Sequence, residues 1–187
     1  MPENVVPYEV APHPELPAFT ASPGTHIGHI HLKVSNLDRA LAFYQTVLGL
    51  ELQERIGDQA AFLSAGGYHH HLGLNTWESL GGSPPPANAT GLYHSALVYG
   101  SPEELLAVFE RLLAFEIPIA WISEHGTHLA IYLYDPDQNG VELYFDRTPD
   151  HWPRDADGGL RMVTERLTFD GFRERIAAEI LRGETSA

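Results

Sequence analysis

The chain has 187 residues, 43% of them apolar, enough for one sizeable domain or two small modules that share a core. A formal charge of -14 excludes a basic stripe for nucleic acid and disfavours anionic membrane surfaces, and no apolar run approaches the roughly 20 residues that span a bilayer. With no cysteine, disulfides, thiolate zinc sites and cysteine nucleophiles are excluded together, whereas eleven histidines equal the total of lysine plus arginine.

In chain order, residues 1–24 form a proline-rich N-terminal arm, MPENVVPYEVAPHPELPAFTASPG. It has no basic segment followed by an apolar core, so no secretion signal is expected and a cytoplasmic location is the default. HIHLKV, from His29, is a β-rich run, and SNLD offers Ser35, Asn36 or Asp38 as a helix start. RALAFYQTVLG then carries an apolar helical face at positions 41, 44, 47 and 48 and ends at Gly49 as C-cap. ELQERI, QAAFLSA and HHHLGLNTW follow as strands, and the Gly- and Pro-rich ESLGGSPPPANATG, residues 78–91, is a linker. GLYHSALVYG opens a further strand, and Ser101-Pro102-Glu103-Glu104 is a strong helix N-terminus. IPIAWISEHG, THLAIYLYD and VELYFD again read as strands. In the tail, FDGFRERIAAEILRG has helical apolar spacing at Phe169, Phe172, Ile176, Ile180 and Leu181, and is expected to pack on the domain or on a second subunit.

An internal repeat organises these elements. HIHLKVSNLDRALAFYQTVLGL, from His29, overlays HSALVYGSPEELLAVFERLLAF, from His94, without a gap at an offset of 65. The matched pairs include His29/His94, Leu32/Leu97, Leu41/Leu106, Tyr44/Phe109 and Leu48/Leu113. Each copy is a βαβββ module, the fold class is α+β, and two modules are expected to form an open, cup-like mixed sheet. The expected organisation is an arm (1–24), one domain (25–150) and a helical tail (151–187). Within the domain, module one covers 25–77, the linker 78–91 and module two 92–147.

The repeat puts a titratable residue at the same strand start twice, which packing alone explains poorly. Equivalent placement can bring His29 and His94 together at a pseudo-twofold axis. Glu142, in VELYF, follows the DPDQNG turn and alternates with Val141 and Leu143, so burying it would be costly without a cation. His29, His94 and Glu142 make two histidines and one carboxylate, the donor set of non-haem Fe(II) oxygenases. Zn(II) with a bound water and Mn(II) suit the same donors.

GHIHLKVSNLDRALAFYQTVLGL, YHHHLGLNTW and LYDPDQNGVELYFDR together resemble the vicinal oxygen chelate superfamily, over roughly residues 26 to 152. Within it they are most similar to extradiol (catechol 2,3-) dioxygenases and their glyoxalase/bleomycin-resistance relatives. The resemblance implies paired βαβββ modules around a metal on the inner face of a curved sheet. It implies His29 and His94 as histidine ligands and Glu142 as the carboxylate ligand. His70 matches the second-sphere histidine; His71 is one step away on the strand, and a register slip would exchange the two. Tyr132, ten residues before Glu142, matches the active-site tyrosine. His125 in EHGTH resembles a pocket histidine, with His128 as its substitute, and His31 shares the strand face of His29. Trp77, Tyr93 and Tyr144 are candidates for an aromatic wall.

The chain departs from the resemblance in having one module pair where many catechol dioxygenases have two. LGLNTW also lacks the first-module ligand used in the glyoxalase branch; Glu78 falls in the linker. Three ligands favour an Fe(II) dioxygenase that cleaves a small aromatic diol with O2, acting as a homodimer. A glyoxalase-type isomerase or thiol transferase would instead work with Zn(II) or Ni(II) and consume no O2. A drug- or metabolite-binding protein would need no metal.

Overall fold

The computed structural model describes residues 19–184. Most of the expected N-terminal arm, residues 1–18, and residues 185–187 lie outside the described residues. The first module runs β1 (Ile30–Lys33), α1 (Leu37–Leu41), β2 (Glu51–Ile56), β3 (Ala60–Ser64) and β4 (Leu72–Asn75); α1 continues into wider π-helical turns over Ala42–Val47. The second runs β5 (Ser95–Val98), α2 (Pro102–Ala114), β6 (Ile119–Glu124), β7 (His128–Tyr134) and β8 (Gly140–Asp146). β9 (Glu165–Leu167) and α3 (Phe169–Glu184) follow. Two βαβββ modules are therefore present, and the tail expected to be helical also supplies a strand.

Local chemistry sets the helix ends. Asn36 has an extended backbone and its side chain accepts from the Arg39 amide at 2.9 Å; Gly49, at φ +83°, leaves the helix through the left-handed region. In the second copy Ser101 accepts from the Glu104 amide at 3.3 Å, with Pro102 and two glutamates in the first turn. The face predicted from spacing in the first helix, Leu41, Tyr44, Val47 and Leu48, is buried, and the second helix buries Leu105, Val108, Phe109 and Leu112.

The strands form two mixed sheets, ordered β1-β4-β3-β2 and β5-β8-β7-β6-β9. In each, the first strand is an edge paired parallel to the last strand of its module, with Ile30 opposite Leu72 and Ser95 opposite Val141. The repeat thus survives at the level of register, with the first strands offset by 65 residues and their partners Leu72 and Val141 by 69. β9 pairs antiparallel with β6 and covers that edge. β1 and β5 remain edges of four residues each. The sheets do not close into a barrel.

One hydrophobic core joins the modules, with Leu32, Val34 and Tyr44 in the same cluster as Phe109, Ile131 and Leu143. Polar latches fix their relative placement. Tyr44 Oη donates to Asp135 Oδ2 at 2.9 Å and Arg39 to Asp137 Oδ1 at 2.7 Å. Tyr99 Oη donates to the Leu48 carbonyl at 3.1 Å, and Arg111 to the carbonyls of Thr46 and Val47. Asp135 is itself preorganised by the amides of Asp137 and Asn139, both 2.8 Å from its Oδ1. The DPDQNG turn read from the sequence is therefore also a clamp on the other module.

α3 packs on the domain through Phe172 and Ile176, with the Phe172 ring 4.6 Å from that of Phe109. Its second anchor is ionic. Arg147, just past β8, bonds Glu124 of β6 at 2.6 and 2.8 Å and Glu179 of α3 at 2.8 Å, all three nearly fully buried. Arg147→Met would leave the buried Glu124 carboxylate without its bonded cation, while Glu179 keeps Arg182 at 2.9 Å, and a loss of about 3–5 kcal/mol is expected in chemical denaturation. Burial alone would raise the Glu124 carboxyl, but hydrogen bonds from Arg147 and the Gly126 amide outweigh it and hold the group below its usual 4.5. A carboxyl depressed by folding stabilises above its unfolded value and loses that contribution as pH falls through the folded one. Wild-type stability should therefore decline below about pH 4.5, and more steeply than that of the Met variant.

Candidate metal centre

Strand alternation decides which side chains share a face. Across β5 and β8, Ala96 lies opposite Glu142; across β7 and β8, Tyr132 lies opposite Glu142 and Ala130 opposite Tyr144. Leu97, Ile131, Val141 and Leu143 therefore turn to the core. His94, His128, Tyr132, Glu142 and Tyr144 share the other face, and the β6–β7 turn brings His125 to its rim.

Glu142 is the hub, with 7% of its surface exposed. Its Oε2 lies 3.0 Å from His94 Nε2, and its Oε1 lies 3.4 Å from His128 Nε2 and 2.6 Å from Tyr132 Oη. His125 Nε2 is 3.0 Å from the same phenol oxygen, and its Nδ1 donates to the Val163 carbonyl at 2.9 Å. The His125 and His128 rings stack at 4.6 Å, and one donor atom each of His125, His128 and Glu142 lies within 4.8 Å of the others. Trp121, which the sequence reading passed over, stacks on Tyr132 at 4.7 Å and 17°. Only its place opposite Tyr132 in the β6–β7 pair marks it out.

Burial would raise the Glu142 carboxyl, but hydrogen bonds from His128 and Tyr132 and the His94 imidazole hold it below the usual range. Burial and the hydrogen bond to Glu142 push the Tyr132 phenol far above its ordinary value.

These residues fit a divalent metal. A buried carboxylate surrounded by imidazoles and a phenol, with neither Lys nor Arg bonded to it, is costly unless a proton or a cation joins the group. His94 turns Nε2 to Glu142 and leaves Nδ1 buried with no partner. A nitrogen and an oxygen each about 2.1 Å from one ion and at a right angle stand about 3 Å apart, as His94 and Glu142 do.

His29 and His70 lie on the first sheet. Their rings are 4.4 Å apart, and His70 also meets Phe62 at 5.0 Å and His69 at 2.8 Å between Nδ1 atoms. His71 stacks on Tyr68 instead, so of the adjacent pair it is His70 that joins His29. Partial burial and the imidazoles of His29, His69, His31 and His71 hold His70 below the usual histidine range. His31 lies between Phe62 and Trp77, over Gly73, where a Cβ would come within 2.8 Å of the ring. Gly73 faces His31 in register just as Glu142 faces Ala96, so the first module has an imidazole where the second has the carboxylate. His29 and His94 line opposite sides of one cavity of about 950 Å³ between the modules. Among the described residues, no hydrogen bond, ion pair or ring contact joins His29 to His94 or Glu142.

A family model for the Glyoxalase/Bleomycin resistance protein/Dioxygenase superfamily matches residues 26–143. The chain belongs to this superfamily. Among curated members, a catechol-2,3-dioxygenase of Bacillus subtilis (strain 168) is 36% identical over 155 residues, 83% of this chain and 53% of that protein. A manganese-dependent 2,3-dihydroxybiphenyl 1,2-dioxygenase of Geobacillus genomosp. 3 is 30% identical over 122 residues, 64% of this chain and 36% of that protein. The chain thus spans about half the length of the first and about a third of the second. Among solved structures of the superfamily, a lactoylglutathione lyase from Agrobacterium tumefaciens is 27% identical with a TM-score of 0.53, covering 66% of this chain and 96% of that one. No helix among the described residues is long and apolar enough to cross a membrane.

Proposed function

We propose that the chain is a metal-dependent extradiol dioxygenase that opens the ring of a small catechol-like diol with O2, with Fe(II) as the metal. The observation that carries this reading is the buried Glu142 carboxylate with His94 at 3.0 Å and Tyr132 at 2.6 Å. Relatives named as catechol and biphenyl-diol dioxygenases support it, and the manganese-dependent one makes Mn(II) the first alternative metal. Glu142 and His94 would hold the ion with His29 as third ligand, and the bound ion would supply Lewis acidity toward the diol and an electron path to O2.

The protein's own part is positioning and proton handling. Burial and Glu142 favour the protonated phenol of Tyr132, whose hydroxyl donates to Glu142 and would turn to a substrate oxygen once an ion held that carboxylate. His125, pinned by the Val163 carbonyl, holds the Tyr132 hydroxyl in place. His70, held below the usual histidine range by partial burial and by its imidazole neighbours, can accept a diol proton. His70→Ala should lower kcat by about 10²–10⁴-fold with metal content retained.

The latches fix the two modules in a placement where nothing joins His29 to the Glu142 group, so we assign His29 and His70 to a second copy's site. In a two-fold dimer the first sheet of each subunit would face the second sheet of the other, giving two equivalent centres.

Anaerobic reconstitution with Fe(II), Mn(II), Zn(II) or Ni(II), followed by O2-electrode assays on a catechol panel, tests the proposal. Uptake of one O2 per diol with Fe(II) or Mn(II) is expected. Turnover of other substrates with Zn(II) or Ni(II) and no O2 uptake would make the protein an isomerase or transferase. No turnover with any metal would make it a binder.

A further inference from the structure

The tail segment between the 3₁₀ turn Pro149–His151 and β9 folds back over the metal-binding face as a small hairpin. Arg154 and Leu160 pair antiparallel, the Arg161 amide donates to the Pro153 carbonyl at 2.9 Å, and Asp155 Oδ1 closes the tip by accepting from the amides of Asp157 and Gly159. The base is anchored on the residue after β8 and on the β6–β7 turn. Trp152 Nε1 donates to the Arg147 carbonyl at 2.7 Å, and the Val163 carbonyl accepts from His125 at 2.9 Å. Pro153 lies so close to Gly126 that a Cβ there would be 2.4 Å from its ring.

This hairpin hangs Trp152, Leu160 and Met162 over a pocket of about 270 Å³ whose floor includes Glu142 and His128. Leu160 and Met162 are half exposed, and no core packing accounts for them. Thr127 and Asp146 complete the polar lining, which contains two carboxylates and neither Lys nor Arg. Arg147, next in the chain, is committed to Glu124 and Glu179. A cavity of about 150 Å³ accommodates benzene, and drug-sized ligands take about 300–1,000 Å³. The volume here suits one ring with a short substituent. An apolar roof and acidic walls disfavour a carboxylate on that ring.

We propose that the 152–163 hairpin is a substrate-selecting wall, with Leu160 and Met162 receiving the apolar substituent of a neutral single-ring diol and excluding two-ring and carboxylated diols. This rests on the dioxygenase reading above. The test uses the full chain loaded with Fe(II) or Mn(II), and catechol, 4-ethylcatechol, 3,4-dihydroxybenzoate and 2,3-dihydroxybiphenyl as probes. Each is followed by O2 uptake and, without O2, by equilibrium titration of tryptophan fluorescence.

The wild type should prefer 4-ethylcatechol in both measurements. Leu160→Ala and Met162→Ala should each lower the 4-ethylcatechol/catechol ratio of kcat/KM by about tenfold, mainly through KM. The double variant should gain on 2,3-dihydroxybiphenyl, and Asp146→Asn on 3,4-dihydroxybenzoate. Unchanged ratios in variants that melt like wild type, or a wild-type preference for the two-ring or carboxylated diol, would overturn the wall. No O2 uptake with any diol, together with the expected binding order, would instead overturn the dioxygenase reading and leave the wall standing.

Discussion

Replacing Glu142 by glutamine is expected to strip the metal from the protein and to stop diol cleavage while the apo fold survives. The amide keeps the size of the side chain and can still accept from Tyr132, but it loses the charge that makes this position attractive to a cation. Because folding holds the Glu142 carboxyl below its usual range, its charge stabilises the apo fold at neutral pH, and the apo variant should melt somewhat lower than the wild type but still cooperatively. The metal is a ligand of the native state only, so at a hundredfold excess over its dissociation constant it adds about 2.7 kcal/mol to wild-type stability. Calorimetry with and without Fe(II) or Mn(II) should show that increment in the wild type and none in Glu142→Gln. Ring cleavage should fall at least about a thousandfold, roughly 4 kcal/mol of barrier. A Glu142→Gln protein that retained metal and turnover would remove this carboxylate from the centre. Metal analysis of His29→Ala beside His128→Ala separates the ligand sets. Loss in the first with retention in the second selects His29, and the reverse selects the arrangement in which His125, His128 and Glu142 already converge within one module.

Much of this site was legible in the sequence because strands have period two. The offset of 65 between His29 and His94 predicted equivalent strand starts, and both residues stand one position before their strands. Tyr132 was marked by the resemblance rather than by alternation, and its pairing opposite Glu142, like the choice of His70 over His71 beside His29, needed the register between strands. The broken symmetry was legible as well. Aligning β4 on β8 sets Leu72-Gly73-Leu74 over Val141-Glu142-Leu143 and shows one carboxylate for two modules. Long-range placement was not legible. The latch pairs Tyr44–Asp135 and Arg39–Asp137 are 91 and 98 residues apart, and their polar residue types carry no periodic signal. The tail was read as a helix alone because Glu165–Leu167 has too few residues to show alternation. The hairpin before it is set by single contacts, Pro153 on Gly126 and Val163 on His125, between unpatterned segments.

Mixing two inactive variants should restore activity if the centre is shared between subunits. In a two-fold dimer, His29→Ala in one chain and Glu142→Ala in the other place both defects in the same composite site and leave the second site intact. Homodimers of either variant carry a defect in both sites. If the two chains are co-expressed equally and pair at random, half of the dimers are mixed and each has one working centre, so about a quarter of wild-type turnover per chain is expected. The recovered activity should rise with the fraction of mixed dimers isolated by two affinity tags, toward about half of wild type. A site completed within one chain gives the opposite result, since every chain then bears its own lesion and no mixture recovers. That outcome would require β1 to swing toward β5 across the 950 Å³ cavity. The buried Tyr44–Asp135 bond and the Arg39–Asp137 pair oppose such a movement. Tyr44→Phe supplies the control. It should leave complementation unchanged in a shared site, whereas in a single-chain site it should alter the turnover of each chain alone by releasing the module that carries His29.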